Sequence, residues 1–291
     1  VMAGSSSTLA WLVDLAAHWQ WLFLLVLVCS TLLIAVCSSR RWVLVLCAVP
    51  LPWLTASEQA RKAERGGDVL VVAGANVNLA NDDPRPLIEW LVAEQVDIVA
   101  LFEVSAAYAG RLDTSAEYPF QQVVPRRDPF GVALLSRHPL LDAQLRYDSD
   151  GIAQIEARVR WRGEFIDIVA MHPMPPLSPL YHAIRDEKLR AAADAAVTSR
   201  SPTVLIGDLN ATPWSSAFSG LADRGLRRAT GLKPSWPAVA SGMMGIPIDH
   251  VLVTPHWSRV DSRQGPSLGS DHLPALARIM LGTDANGTRS R

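Results

Sequence analysis

Polar side chains that could bind a cation or a phosphate recur where the apolar runs of this sequence end. Within residues 203–214, a β-branched run ends at Gly207, and Asp208 and Asn210 follow two residues apart. Residues i and i+2 of a strand point to the same side, so both side chains can face one ligand. A carboxylate beside an amide suits a hard cation and the oxyanion that the cation neutralises. By itself, this short pattern is weak evidence for a site.

Five further groups of the same kind lie at the ends of predicted strands. They are Asn76 with Asn78, Glu103, His172, Asp249 with His250, and Asp271 with His272. One such residue is usually a helix cap or a turn former. Six groups without a cysteine indicate one site, with oxygen ligands for a hard cation and histidines for phosphate.

Alternating strands and helices after residue 67 are predicted to position these groups. Strands are predicted over 69–73, 97–102, 121–124, 132–136, 152–159, 165–171, 203–206, 248–253 and 273–280, and helices over 86–94, 181–199 and 214–223. Adjacent strand pairs mixed with single helices predict two packed sheets with helices outside them.

The motifs together resemble those of the endonuclease/exonuclease/phosphatase superfamily, which contains the DNase-I-like and AP-endonuclease-like phosphoesterases. The resemblance covers about residues 68–281. It rests on Asn-Val-Asn at 76–78, Leu-Phe-Glu-Val at 101–104, Gly-Val-Ala-Leu-Leu-Ser-Arg-His-Pro-Leu at 131–140, Met-His-Pro at 171–173, Gly-Asp-Leu-Asn at 207–210, Ile-Asp-His-Val at 248–251 and Ser-Asp-His at 270–272. It implies an α/β fold, a four-layer α-β-β-α sandwich of two mixed sheets, with the site at the top of both sheets.

The resemblance also implies metal ligands and a residue that activates water. Glu103 is expected to be the main Mg²⁺ ligand, and Asn76 and Asp271 are expected to assist it directly or through water. Mn²⁺ could substitute for Mg²⁺. Asp208 is expected to orient or deprotonate the attacking water, while Asn210 holds water or a phosphoryl oxygen.

Two histidines complete the implied phosphate site. His272, oriented by Asp249, is expected to stabilise the charge that develops on phosphorus, and His172 to contact the phosphate from the other side. Asn78 has a supporting role, because many family nucleases carry an acidic residue there. The implied reaction is nuclease-like in-line hydrolysis of a phosphodiester or phosphomonoester without a covalent enzyme intermediate.

Other polar residues are expected to lie outside the site. His18, His138, His182 and His256 are interpreted as structural or surface groups. His250 is interpreted as an ordinary strand residue, with contact to substrate as the alternative. Arg185 is interpreted as part of a solvated helix face, with contact to phosphate as the alternative.

The distribution of charge separates residues 1–56 from the rest of the chain. They contain only Asp14, Arg40 and Arg41 as charged groups. Subtracting these two basic and one acidic residues from the totals of 27 and 28 leaves the remainder at a net charge of −2. This part of the chain after residue 56, the body, lacks the net positive charge typical of processive nucleic-acid binders, although a nuclease is not excluded. Nucleic acid and phospholipid or inositol phosphate therefore both stay open as substrates, and no obligate protein partner is indicated.

Residues 1–56 are predicted to be a membrane anchor, with a disordered start at 1–8. The uncharged run at 19–37 is long enough to span a bilayer as a helix, and a buried core helix is the alternative. The run at 42–54 is shorter and contains two prolines, so it indicates a second span or a re-entrant segment. All three cysteines of the chain lie in this N-terminal part.

The positive-inside rule suggests a topology for this anchor. Arg40 and Arg41 are expected to stay cytoplasmic, so a two-helix hairpin would place the body on the extracytoplasmic side of the cell membrane. If the second run does not span, the body could lie on either side. Residues 57–67 are predicted to be a charged linker, 68–281 a metal-dependent phosphoesterase domain, and 282–291 a disordered tail. A non-catalytic binding module with the same fold is the alternative to an enzyme.

Overall fold

The computed structural model describes residues 2–37, 49–64, 66–112, 116–243 and 245–282. The strands are β1 Val69–Asn76, β2 Ile98–Phe102, β3 Phe120–Val124, β4 Val132–Ser136, β5 Leu140–Tyr147, β6 Ala153–Trp161, β7 Glu164–Met171, β8 Thr203–Asp208, β9 Arg227–Arg228, β10 Asp249–Val253, β11 Trp257–Gln264 and β12 Ala275–Leu281. The helices are α1 Met2–Ala17, α2 Gln20–Cys37, α3 Leu51–Thr55, α4 Arg85–Ala93, α5 Ala106–Arg111 and α6 Pro179–Ser199, with 3₁₀ turns at Ser216–Phe218 and Val239–Gly242.

Two six-stranded sheets form the centre of the molecule. Their strand orders are β11-β12-β1-β2-β4-β3 and β5-β6-β7-β8-β10-β9. Each sheet is mixed, because β1 and β2 pair in parallel in the first and β7 and β8 in the second, while their other neighbours are antiparallel. The predicted sandwich of two mixed sheets is therefore confirmed.

The main core lies between the two sheets. In β6, Ile155, Ala157 and Val159 are buried and alternate with more exposed residues, as expected for a strand with one face in a core. The outer faces are covered by helices: Leu87 and Leu91 of α4 pack on the first sheet, and residues of α6 pack on the second. These helices supply the two outer layers of the fold.

The sheet topology brings the ends of the central strands to one edge. In the parallel pair, Asn76 at the end of β1 lies beside Phe102 at the end of β2, so Glu103 follows at the same edge. In the second sheet, Asp208 at the end of β8 is paired with Asp249 at the start of β10. Residues that are far apart in sequence therefore meet above the core.

The first helix starts earlier than the sequence indicates. Residues 1–8 are predicted to be disordered, whereas α1 extends from Met2 to Ala17. The prediction was wrong because the small polar residues give no sign of contacts made further along the helix. Trp11 Nε1 donates a hydrogen bond to Pro176 O, and Asp14 is buried against α6.

No single helix in the described parts of the chain is long and apolar enough to cross a bilayer by itself. Ser7–Ala17 and Gln20–Leu33 meet that requirement only together, and this pair is bent by 63°. Arg40 and Arg41, and most of the predicted second run at 42–54, lie outside the described residues.

Three tryptophans pack α2 and α3 against the body. The ring centroids of Trp21 and Trp53 are 5.2 Å apart, and Trp21 lies 5.6 Å from Trp214 of the body. Trp214 Nε1 donates to Pro52 O at 2.7 Å. Trp21 of α2 and Trp53 of α3 therefore lie together against the body.

The predicted linker lies along the body over much of its length. The backbone N–H groups of Ser57, Ala60 and Ala63 donate to carbonyl oxygens of Pro213, Arg228 and Arg259 respectively. The charged composition of this segment gave no sign of these backbone hydrogen bonds.

We expect the core between the sheets to dominate stability. Replacing Ile168 of β7, which is fully buried, with Ala leaves a cavity and should lower the free energy of unfolding by about 3 kcal/mol. Phe165→Ala in the same strand is the control, because Phe165 is half exposed on the outer face and its loss should cost less than about 1 kcal/mol. Urea denaturation of both variants measures the difference, and equal losses would contradict the assignment of the core.

Candidate active site

The side chain of Asn76 joins the two sheets at the edge where their central strands end. Its Nδ2 donates to Glu103 Oε1 at 2.9 Å and to Asp208 Oδ2 at 3.0 Å. Its Oδ1 accepts a hydrogen bond from the backbone N–H of Asn78. A neutral amide therefore holds the carboxylates of Glu103 and Asp208 together. Asn76 and Asp208 are buried, so little water surrounds these hydrogen bonds and they are stronger than in solvent.

Asn78 and Asp271 extend the cluster from this buried floor to the surface. Asn78 Nδ2 donates to Asp271 Oδ1 at 2.7 Å, and Trp236 Nε1 donates to Asp271 Oδ2 at 3.0 Å. The second oxygen of Glu103 accepts from the backbone N–H of Leu79. Glu103 is partly exposed and Asp271 exposed, so these two carboxylates lie where a ligand can enter.

His272 and Asp249 form a buried pair on the second sheet's side of the cluster. His272 Nδ1 lies 2.9 Å from Asp249 Oδ2, and its Nε2 lies 3.8 Å from Asp208 Oδ2. Burial alone would lower the pKa of His272, but the carboxylates of Asp249 and Asp208 outweigh it and raise that pKa to about 10. His272 is therefore a cation at neutral pH, oriented by Asp249 through one ring nitrogen.

His172 also approaches Asp208, at the same carboxylate oxygen as His272. Its Nε2 lies 3.4 Å from Asp208 Oδ2, and its ring is flanked by Phe102 and Phe130 at centroid distances of 5.8 and 5.6 Å. Its Nδ1 is buried and has no hydrogen-bond partner among the described residues. Two imidazoles thus lie next to one carboxylate, and their predicted contacts with phosphate remain a prediction.

Asn210 lies in the loop that continues β8. Its backbone N–H donates to Asp208 Oδ1, and its Nδ2 donates to Pro173 O at 3.1 Å. Asn210, Asn78 and Glu103 all have φ between 48° and 66°, the left-handed region that non-glycine residues rarely adopt. Such strained backbone is concentrated at functional sites, where the surrounding contacts maintain it.

The sequence matches the model of the Endonuclease/Exonuclease/phosphatase family over residues 73–272, which is more than half of the chain. The chain belongs to this family. Its members are generally phosphoesterase hydrolases, and the family is divalent-metal dependent. No curated protein sequence matches the chain significantly.

Solved structures of the family have the same fold. An endonuclease/exonuclease/phosphatase from Beutenbergia cavernae is 21% identical with a TM-score of 0.61, covering 74% of this chain and 72% of its own. TDP2 from D. rerio, complexed with a single-strand DNA product, is 14% identical with a TM-score of 0.60, covering 73% and 99%. The human nocturnin catalytic domain with a bound sulfate anion is 16% identical with a TM-score of 0.54, covering 74% and 98%.

The donor set of the cluster fits a hard divalent cation. Carboxylate oxygens of Asp208 and Asp249 lie within 4.8 Å of each other and are buried, and Asp249 Oδ1 has no hydrogen-bond partner among the described residues. His272 lies within the same distance of both, but as a cation it does not ligate a metal. Glu103 adds a further carboxylate, which accepts a hydrogen bond from Asn76. Oxygen donors without cysteine suit Mg²⁺ or Mn²⁺ rather than a soft metal. The ligand set of Glu103, Asn76 and Asp271 remains a prediction, since Asn76 presents its nitrogen to Glu103 in this structure.

Two residues whose favoured interpretation from the sequence was outside the site contact the loop that follows Asp208. Arg185 was expected on a solvated face of its helix, but it is fully buried and its Nη1 donates to Asn210 O at 2.9 Å. That expectation was wrong, and the spacing of Arg185 with Leu189, Ala193 and Ala196 on the buried stripe of α6 was the available signal.

His250 is the second of these residues. Its Nε2 lies 3.0 Å from both Ala211 O and Pro247 O, so it links β10 to the loop after Asp208. A histidine next to an aspartate in an apolar strand gives no sequence signal for this contact.

His250 should make this protein less stable in acid. Burial lowers its pKa to about 3, so below pH 6.5 protons bind this histidine in the unfolded state but not in the folded state. We expect the free energy of unfolding to fall by about 2 kcal/mol from pH 7 to pH 5 through this residue. Urea denaturation at both pH values, with His250→Gln as comparison, measures it. Equal pH dependence in the two proteins would contradict the assignment.

Proposed function

We propose that this protein is a membrane-anchored, Mg²⁺-dependent phosphoesterase that hydrolyses phosphodiester or phosphomonoester bonds by in-line attack of water. The observation that carries the proposal is the hydrogen-bonded cluster at the edge of both sheets. There, Asn76 bridges Glu103 and Asp208, and Asp208 lies between two histidine rings. Family membership supports the reaction class.

Each residue has a role in this proposal that its contacts allow. Asp208 accepts a proton from, or orients, the attacking water, because its carboxylate lies at the centre of the cluster. The His272 cation donates to a phosphoryl oxygen through Nε2 while Asp249 holds Nδ1. His172 contacts the phosphate from the other side, and Asn210 holds water or a phosphoryl oxygen.

Glu103 would hold the cation, with Asn76 and Asp271 assisting and Asn78 keeping Asp271 in place. When bound, a divalent cation neutralises charge on the phosphoryl oxygens and so lowers the barrier to displacement. Glu103 is fixed for this task, since one oxygen is held by Asn76 and the other by the backbone of Leu79.

Nucleic acid is the first candidate substrate. Support comes from TDP2, a structure of which contains a single-strand DNA product, and from the breadth of nucleases in the family. The sulfate in nocturnin is consistent with an oxyanion site in this fold.

A phospholipid or inositol-phosphate head group is the second candidate, favoured by the rim of the site. Leu177 and Leu180 follow His172 in sequence and are largely exposed, as are Val239 and Met243 of the loop whose Trp236 binds Asp271. Exposed apolar side chains on two sides of a catalytic cluster suit the interface of a membrane. An enzyme tethered to that membrane would also meet lipid head groups at high effective concentration.

The proposed anchor is the segment between Trp21 and Trp53. Leu22, Phe23, Leu32 and other apolar side chains of α2 are exposed, and lipid is the solvent that suits them. Because this segment begins and ends at the same place on the body, it must cross the membrane an even number of times. A hairpin of two spans satisfies this requirement and, with cytoplasmic Arg40 and Arg41, puts the body on the extracytoplasmic side of the cell membrane.

Hydrolysis assays on the full chain in detergent should reveal the substrate class. We would present plasmid DNA, RNA, phospholipid vesicles and inositol phosphates with Mg²⁺, with Mn²⁺ and with EDTA. One class should be hydrolysed only with metal. His272→Ala and Glu103→Gln should each lower kcat/KM at least about a hundredfold, because each removes a group that acts on the transition state.

Glu187→Gln is the matched control, because Glu187 is an exposed carboxylate on α6 away from the cluster and its loss should leave activity unchanged. Hydrolysis that persists in EDTA would contradict the metal-dependent mechanism. A folded protein that binds one of these compounds equally with and without Mg²⁺, and hydrolyses none, would instead be a binding module.

Thiol labelling should test the anchor. Cys29 is exposed in the structure, so a membrane should protect it from an impermeant maleimide in vesicles until the protein is denatured in SDS. In a background without the three native cysteines, Ser5→Cys and Asp223→Cys should both react from outside intact cells. Free reaction of Cys29 in vesicles would contradict membrane insertion, and reaction of only one introduced cysteine would contradict the hairpin.

A further inference from the structure

The N-terminal helix places a charged group inside the body. Asp14 of α1 is the one acidic residue among positions 1–56, and its side chain is buried. Its Oδ2 lies 2.7 Å from Arg185 Nη2, and its Oδ1 accepts a hydrogen bond from the backbone N–H of Ser216 at 2.5 Å. A buried carboxylate is costly unless it is paired in this way, so α1 is docked specifically rather than by apolar contact alone.

The partner of Asp14 reaches the loop of the proposed active site. Arg185 is fully buried and donates through Nη1 to the backbone carbonyl of Asn210. Its other contacts are with Asp14 and Asp186. The guanidinium is planar and rigid, so the position of Nη1 follows from where the two carboxylates hold Nη2 and Nε.

The residue that follows α1 contacts the same loop directly. His18, one turn after Asp14, has its Nδ1 2.9 Å from the hydroxyl of Thr212. Between these two contacts, His250 of β10 lies against Ala211 O. Three consecutive residues after Leu209 are therefore held from outside the loop. His18 makes one of these contacts, and Asp14 holds the arginine that makes another.

This loop requires external support. Asn210 adopts a left-handed backbone conformation with φ of 48°, which costs free energy for a residue with a side chain. The Arg185 and Thr212 contacts oppose relaxation of that conformation. Asn210 also follows Asp208 by two residues and donates its backbone N–H to it, so a shift of the loop would move the proposed base.

From these contacts we infer that Asp14 and His18 are positioning residues, through which the N-terminal helix fixes the Asp208–Thr212 loop in its active conformation. The inference deepens the proposed function, on which its catalytic consequence rests. The helix that leads into the proposed membrane hairpin is then a structural part of the catalytic site. A fragment that begins after this helix should have a loosened loop.

The first test does not depend on activity. Hydrogen–deuterium exchange of the full chain in dodecyl maltoside micelles would be compared for wild type and Asp14→Asn. Peptides covering residues 209–216 should exchange about tenfold faster in the variant, the factor expected when one charge-assisted hydrogen bond is lost. Peptides of β6 and β7 serve as internal reference and should be unchanged.

Asp14→Glu keeps the charge and should restore most of the protection in 209–216, and the exposed Glu187→Gln should match wild type. If Asp14→Asn does not fold, His18→Gln provides the second test, because it removes the contact with Thr212 and leaves the Asp14–Arg185 pair in place. Unchanged exchange in 209–216, or an equal increase in β6 and β7, would overturn the inference.

The second test uses whichever substrate class the wild type hydrolyses. Asp14→Asn should lower kcat about tenfold with KM within about twofold, because loop geometry affects the transition state more than binding. A purely structural role for Asp14 would lower the melting temperature and leave kcat unchanged well below it. If the wild type hydrolyses nothing, the proposed function fails while the exchange experiment still decides the role of α1.

Discussion

The arrangement of the whole site depends on how three carboxylates are kept close together at the edge of a buried core. Glu103, Asp208 and Asp249 repel one another, and burial strengthens that repulsion because little water screens it. The structure offsets it with the neutral amide of Asn76, which donates to two of them, and with His272, which pairs with the third and approaches Asp208. A cation at this place would satisfy the remaining negative charge.

The fold explains why this cluster lies where it does. The parallel pair β1 and β2 ends beside the end of β8, because the two sheets face each other with their central strands in the middle. Residues after those strands leave the regular hydrogen bonding of the sheet, so their side chains and backbone N–H groups are free to contact one another. Glu103 and Asn210 use left-handed backbone to turn there. The regular sheets thus position an irregular edge, and that edge carries the chemistry.

The N-terminal segment and the domain that contains the cluster form one structural unit. The outward side chains of the segment are apolar and exposed, whereas its inward side contains Asp14 and His18. The inward contacts are polar and specific, since they pair a buried carboxylate with a buried guanidinium. The segment 57–63 adds backbone hydrogen bonds to β9 and β11. Together these contacts couple the place where the chain leaves the body to the loop that follows β8.

The sequence by itself determined the family, the two-sheet architecture and the polar residues at strand ends, because these are local signals. Apolar runs define the central strands, although not the polar strands β5 and β11, and motifs such as Gly-Asp-Leu-Asn keep their order along the chain. The family relationship then implied roles for residues such as Glu103 and His272. Only the tertiary structure decided that Arg185 is buried, that α1 begins at Met2 and that His250 supports the loop. Those features depend on contacts between residues 25 to 171 positions apart, such as Arg185 with Asn210 and with Asp14, and no local pattern encodes such partners.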